Sequence, residues 1–280
     1  MSINHLCESE TIQIPYFASR KDCLFEWRNC CSGGRVLKVF NTGFDAEIAG
    51  ERLFFTMNTA DLHTLAFLVP QAILQNVSEG DQVVFNDGAL TIGRFNLSFQ
   101  NEVAAPEPPA SLHREILREN LKLLHSNLKL FARDSIVLPL ISGCCTQKNI
   151  LYGADALLFE EHIDFAAIKR FVGAGEGLTP AFDDFLSGMI FSDRFLAISQ
   201  LRIPDNFADS IDSQTTSQAV QQVRAAIRGT LSLKFERLLK NMAERKIRSH
   251  EILPVLQHGH SSGSDILCGV WFYLAQKVRI

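Results

Sequence analysis

Tryptophan and tyrosine are scarce in this chain, at 2 and 3 residues, whereas phenylalanine reaches 21 of 280. Apolar cores built here must therefore be rich in Phe. A basic run interleaved with aromatics is missing, and the formal net charge is −4. These two facts exclude a nucleic-acid binder held by a positive surface. The longest apolar stretch, Ile266–Gln276, is too short to span a bilayer, which excludes a membrane protein of the helical kind. Met1 to Lys21 lacks the apolar core of a signal peptide, interrupted as it is by Glu8, Glu10 and Arg20. The expected compartment is the cytoplasm. Cysteine is limited to 7 residues, an odd number that includes two adjacent pairs, Cys30-Cys31 and Cys144-Cys145. With no CxxC spacing, neither a disulfide framework nor a zinc site is indicated, and reduced, mostly buried thiols are expected.

What remains is an ordinary globular balance of 46% hydrophobic and 21% charged residues. The first hundred residues read as strands: Val36–Phe40, Asp45–Ile48, Arg52–Thr56, Thr64–Val69, Gln82–Phe85 and Leu90–Phe99. Asn86-Asp87-Gly88 between the last two is a hairpin signal. Pro106-Glu107-Pro108-Pro109 then breaks regular structure. Beyond it the apolar period changes to about 3.6. Ser111–Arg133 carries Leu112, Ile116, Leu117, Leu121, Leu124 and Leu128 on one stripe. Helical patterns continue at Ile163–Phe171, Pro180–Gln200, Ser217–Ala226, Leu231–Lys246, His250–Gln257 and Ser262–Val278. The expected class is α+β. A β-rich domain over 1–105, either a sheet or a small barrel, is followed by a Pro-rich linker at 106–111 and a mostly helical domain at 112–280.

Two loops concentrate polar chemistry. Gly173-Ala174-Gly175-Glu176-Gly177-Leu178-Thr179-Pro180 opens one helix, with Thr179 expected to cap it and Asp183-Asp184 in its first turn. His258-Gly259-His260-Ser261-Ser262-Gly263-Ser264-Asp265 opens another, with Ser261 or Ser262 as its cap. Bare amides at a helix start favour an anion through their N–H groups and the macrodipole. The first loop is not a Walker A loop, because it lacks Gly-Lys-Ser/Thr, and it is not a dinucleotide fingerprint. Both helices then repeat a pattern, Asp184-Phe185-Leu186-Ser187-Gly188 and Asp265-Ile266-Leu267-Cys268-Gly269. Glycines one turn beyond each Asp would let the helices approach closely and bring both carboxylates to one cleft. A purely structural origin stands beside this, since an Asp in a first helical turn stabilises the dipole without any catalytic role. Asp184 with Asp265 could hold a Mg²⁺. His258 and His260 could transfer protons or simply bond backbone. Turn chemistry accounts for Asn41 to Asp45, and Cys144-Cys145 lacks the context of a nucleophile loop.

At these residues the chain resembles a known family. Gly175-Glu176-Gly177-Leu178-Thr179-Pro180 with Asp183-Asp184 and Leu186-Ser187-Gly188 is similar to the signature of the AllH family. The stretch from Gly259 to Leu267, with Gly269, matches in order and position. The sequence departs from one member of the family at Ala181 and Phe182, where that member holds Ser and His, and at Ser261, where it holds Thr. The resemblance implies a subunit of oxamate carbamoyltransferase, which interconverts oxalurate plus phosphate with oxamate plus carbamoyl phosphate in allantoin breakdown. It also implies partner subunits, one resembling succinyl-CoA synthetase. On that basis Gly173, Gly175, Gly177 and Thr179 would take the phosphate or oxyanion, and Ser261, Ser262 and Gly263 a second anionic group. Asp184 and Asp265 would orient the amide or a metal, with His260 as a proton donor and Asp183 as a further catalytic candidate. Two other readings compete: a non-catalytic stabilising or regulatory subunit, and a stand-alone Mg²⁺-dependent phosphate- or acyl-transfer enzyme.

Overall fold

The computed structural model describes residues 17–25, 27–29, 31–86, 88–142, 150–158, 163–198 and 201–279. Cys7, Cys30, Cys144, Cys145 and the turn residue Asp87 lie outside them. The chain divides into two compact units, Met1–Ala105 and Pro106–Ile280. The class is α+β.

The first unit is a closed barrel of eight strands. These are β1 (Phe17–Arg20), β2 (Ser32–Phe40), β3 (Gly43–Ile48), β4 (Glu51–Thr56), β5 (Ala66–Leu68), β6 (Gln82–Asn86), β7 (Ala89–Ile92) and β8 (Phe95–Val103), with a short helix α1 (Gln71–Leu74) after β5. Their order round the barrel is β1-β5-β4-β3-β2-β6-β7-β8. Neighbours pair antiparallel except β4 with β5 and β1 with β8. The parallel β1–β8 pair, with Ala18 opposite Asn101, is the closing seam. Alternation places Val83 and Phe85 of β6 and Leu90 and Ile92 of β7 inside. The interior is a column of Phe rings, with Phe44 stacked on Phe55 at 4.7 Å and Phe67 linking Phe55 to Phe85. Asp45 is buried in β3 because Arg52 Nη2 donates to it at 2.6 Å. One expectation fails here: the run Leu90–Phe99 is two strands, not one. Gly93 adopts a left-handed φ of 55° and turns the chain between them.

The second unit is helical: α2 (Arg114–Phe131), α3 (Leu138–Ser142), α4 (Ala154–Leu158), α5 (Phe165–Ile168), α6 (Ala181–Phe195), α7 (Phe207–Ser210), α8 (Ser217–Ile227), α9 (Leu233–Glu244), α10 (Ser249–Leu256) and α11 (Ser262–Val278). On α2 the stripe Leu117, Leu121, Leu124 and Leu128 is buried, as its spacing demands. Every residue of α6 except Arg194 is buried, including Asp183, Asp184 and Asp193, which marks it as the central helix of the unit. Its partner is α11, and α2, α3, α8 and α10 pack around this pair. The helix expected over Pro180–Gln200 stops at Phe195, because Ala197 turns left-handed at φ 53°. The pattern over Ile163–Phe171 gives only the short α5 and a 3-10 turn, Lys169–Phe171. Among the described cysteines only Cys268 is buried; Cys23 is half-buried and Cys31 is exposed.

A buried amide ties the outer helices together. Asn120 of α2 donates to the carbonyls of Met242 (2.9 Å) and Arg245 (2.7 Å) and accepts from Ile247 N (3.1 Å). Asn120→Ala leaves those three backbone groups without their partner. The substitution should cost about 2 kcal/mol in a denaturant titration of the full chain. A loss under about 0.5 kcal/mol would mean that water replaces the amide.

Candidate functional site

The two polar loops meet. Thr179 Oγ1 and Ser262 Oγ lie 2.9 Å apart, which joins the start of α6 to the start of α11. What permits this is the glycine of each Asp-x-x-x-Gly repeat. A Cβ on Gly188 would stand 2.0 Å from the carbonyl oxygen of Ile266, and one on Gly269 would stand 1.9 Å from that of Phe185. Each helix therefore rests its bare glycine on the other's backbone, and the first turns converge.

The start of α6 differs from the expected cap. Pro180 itself occupies the N-cap with an extended backbone (φ −56°, ψ 145°), so the helix begins at Ala181. Released from capping, the Thr179 hydroxyl donates instead to Asp184 Oδ2 at 3.0 Å. At the start of α11, Ser261 holds the N-cap position but makes no side-chain cap bond, and Ser262 is the first helical residue.

The adjacent carboxylates face different ways, as 3.6 residues per turn requires. Asp183 accepts from Gly173 N at 2.9 Å and from the Thr215 hydroxyl. It therefore ties the first glycine loop to the segment before α8. Asp184 faces the junction, where Thr179 and Gln222 Nε2 (2.5 Å) both donate to it. Burial pushes its pKa well above the usual carboxylate range. Donation from Gln222, Ser262 and Thr179 opposes that rise, and the negative charge of Asp265 adds to it.

Asp265 is different. It has no exposed surface, and neither of its carboxylate oxygens has a partner in hydrogen-bond geometry. Burial raises its pKa to about 6, although the Ser135 and Ser261 hydroxyls lie near enough to favour its charge.

Several amides expected to be free are in use. Gly173 N is bonded to Asp183, and Gly263 N donates to the His258 carbonyl at 3.0 Å. Within α6, Phe182 N is taken by Ala174 O, while Asp183 N and Asp184 N both go to Pro180 O. Among the described residues, the amides of Gly175, Gly177, Thr179, Ser261 and Ser262 have no such acceptor. Gly175 and Gly177 lie on the exposed part of the first loop at φ 118° and 98°, a region open to residues without a Cβ. His260 is exposed, and its carbonyl accepts from Arg133 Nη1.

The donor set does not fit a Mg²⁺ held by Asp184 and Asp265. Both oxygens of Asp184 already accept N–H or O–H donors, which leaves a single free carboxylate. Among the described residues no group of three or more His, Cys, Asp or Glu side chains could hold a metal.

Sequence reasoning missed two walls of this site. One is α8 with its approach, which supplies Thr215 to Asp183, Gln222 to Asp184 and the Thr216 hydroxyl to Leu178 O. The other is the stretch 132–136, which brings Ser135 to Asp265. There Arg133 N reaches Ser264 Oγ (3.4 Å) and Arg133 Nη1 reaches Gly259 O (3.2 Å). A lone Gln on an amphipathic helix and an Arg-Asp-Ser stretch between helices carry no local signature of such a role.

Residues 171–274 match the model of a protein family described as oxamate carbamoyltransferase subunit AllH. The resemblance carried by the two loops is real. The matched segment contains both loops, α6, α8 and most of α11, and so holds the whole junction apart from Arg133 and Ser135. No solved structure matches the chain. Ala181 and Phe182 lie in the apolar core: Phe182 packs against Phe171 and Phe185. None of the described helices is long and apolar enough to cross a membrane.

Proposed function

We propose that this chain is the substrate-binding subunit of an oxamate carbamoyltransferase-type complex, with its site at the joined starts of α6 and α11. The Thr179–Ser262 contact carries this reading. It brings two loops with unpartnered amides, separated by some eighty residues, to one place inside the AllH segment. The reaction is the phosphorolysis of oxalurate to oxamate and carbamoyl phosphate, or its reverse, in the cytoplasm. Partner subunits, one resembling succinyl-CoA synthetase, complete the complex.

In the forward direction a phosphate oxygen attacks the carbamoyl carbon and the carbonyl oxygen gains negative charge. The bond from that carbon to the inner nitrogen then breaks, and the nitrogen takes a proton to leave as oxamate. Amides of Gly175, Gly177 and Thr179 suit the phosphate and the oxyanion, since preorganised N–H donors are most effective where charge develops. The Ser261 and Ser262 amides suit the carboxylate. Asp184, whose burial favours its protonated form, supplies the proton to the departing nitrogen by way of the Thr179 hydroxyl bonded to it. His260, exposed at the loop edge, is a further candidate for the reacting groups. Asp183, Gly173 and Gly263 hold the loops in shape through the bonds described above.

Asp184→Asn in the assembled complex should lower kcat by about 10²-fold or more with little change in KM for phosphate. Circular dichroism of the variant guards against misfolding. Unchanged turnover in a folded variant would remove Asp184 from the catalytic groups.

A further inference from the structure

We infer that Asp265 is the specificity-determining residue that receives the two parallel N–H groups of a ureido substrate, –NH–CO–NH₂, and so sets the orientation of the carbamoyl group. This rests on the reading of the site given above and deepens it.

The starting point is an imbalance. Asp265 is fully buried, yet neither of its oxygens meets a donor in hydrogen-bond geometry, the Ser135 and Ser261 hydroxyls only standing near it. Buried carboxylates in folded proteins are ordinarily met by donors, so a pair of vacant acceptors calls for one. Asp184, one helix away, has donors on both oxygens and serves as the internal contrast. The surroundings select the kind of donor. Ser135 and Ser261, whose hydroxyls bear on Asp265, are each only half-buried and form the side of it nearest solvent. A metal would find one free carboxylate and neutral hydroxyls. A second anion would be repelled. A neutral group with two N–H bonds side by side fits without either difficulty, because a carboxylate accepts two parallel donors in a bidentate fork.

The geometry of a ureido group then has a consequence. Its carbonyl oxygen points directly away from the syn N–H pair. With that pair on Asp265, the carbonyl is turned away from the carboxylate, and its growing negative charge is kept apart from the buried anion. Donors for it must come from the loop amides of Gly175, Gly177, Thr179, Ser261 and Ser262, which have no backbone acceptor. Replacing the N–H hydrogens by methyl groups would remove the fork while leaving the carboxylate end of the substrate untouched.

Calorimetry on the full chain tests this with three probes: oxalurate, its analogue dimethylated on the terminal nitrogen, and inorganic phosphate. Wild-type protein should bind oxalurate at least about tenfold more tightly than the dimethyl analogue, as expected for hydrogen bonds to a charged acceptor. Asp265→Asn should abolish that preference and leave phosphate affinity within about twofold. A preference that survives in Asp265→Asn would trace to bulk alone and overturn the inference. Equal binding of the two ureido compounds to wild-type protein, alongside normal phosphate binding, would overturn it and leave the proposed site standing. Failure of all three probes to bind would overturn both.

Discussion

Asp265→Asn should stabilise the helical unit at neutral pH by roughly 3 kcal/mol, the value of a carboxylate pKa raised from 3.8 to about 6 on folding. The sign follows from proton linkage. Between those two values the folded chain binds more protons at Asp265 than the unfolded chain does, so stability falls as pH rises from about 4 to about 6 and stays low above that. Asparagine has no charge to lose. The two proteins should therefore be nearly equal at pH 4 and diverge above pH 6, with the variant the more stable. Denaturant titrations at pH 4, 5, 6 and 7 measure this. A variant less stable than wild type at pH 7 would show that the Asp265 carboxylate is satisfied in the free protein. A buried, unpartnered charge is a stability cost that a structural role does not explain, because the apolar core around α6 and α11 would be better served by a neutral side chain. Binding at that position accounts for its presence.

The largest loss is expected at the helix crossing. Gly269→Ala would drive a methyl group to 1.9 Å from the Phe185 carbonyl oxygen, and Gly188→Ala would drive one to 2.0 Å from the Ile266 carbonyl oxygen. The obstacle in each case is backbone in the middle of a central helix, so no rotamer change relieves it. The helices must move apart, opening voids along the α6–α11 interface. About 4 kcal/mol or more should be lost, at the upper end of the range for overpacking and single-site damage. Trp271, on α11 two residues beyond Gly269, offers a fluorescence signal for the unfolding transition. The same displacement would draw Ser262 away from Thr179, so any folded fraction should also bind phosphate poorly. A loss below about 1 kcal/mol would mean that the helices do not cross in contact at these glycines.

Local signals carried much of this architecture and some of the site. The switch of apolar period at the Pro-rich segment, the leucine stripe of α2 and the bounds of α11 all follow from side-chain spacing, which is a property of neighbours in the chain. The same holds for the two Gly- and Ser-rich loops and for the Asp-x-x-x-Gly repeat, since glycine before a helix and an acid in its first turn have local steric and electrostatic causes. Barrel closure was not legible, because the seam pairs a four-residue strand at Phe17–Arg20 with one ending at Val103, and no local pattern encodes that pairing. The split of Leu90–Phe99 at Gly93 shows how an apolar run hides a turn that only strand register reveals.

Within the site the sequence by itself determined which residue types were present and that two helix starts would display them. Tertiary structure alone decided their use. It turned Asp183 toward Gly173 and Thr215, and Asp184 toward Thr179 and Gln222; it consumed the amides of Gly173 and Gly263 and left Asp265 with empty acceptors. The reason is that a hydrogen bond depends on where distant segments arrive, whereas periodicity and glycine sterics depend only on what stands next in the chain.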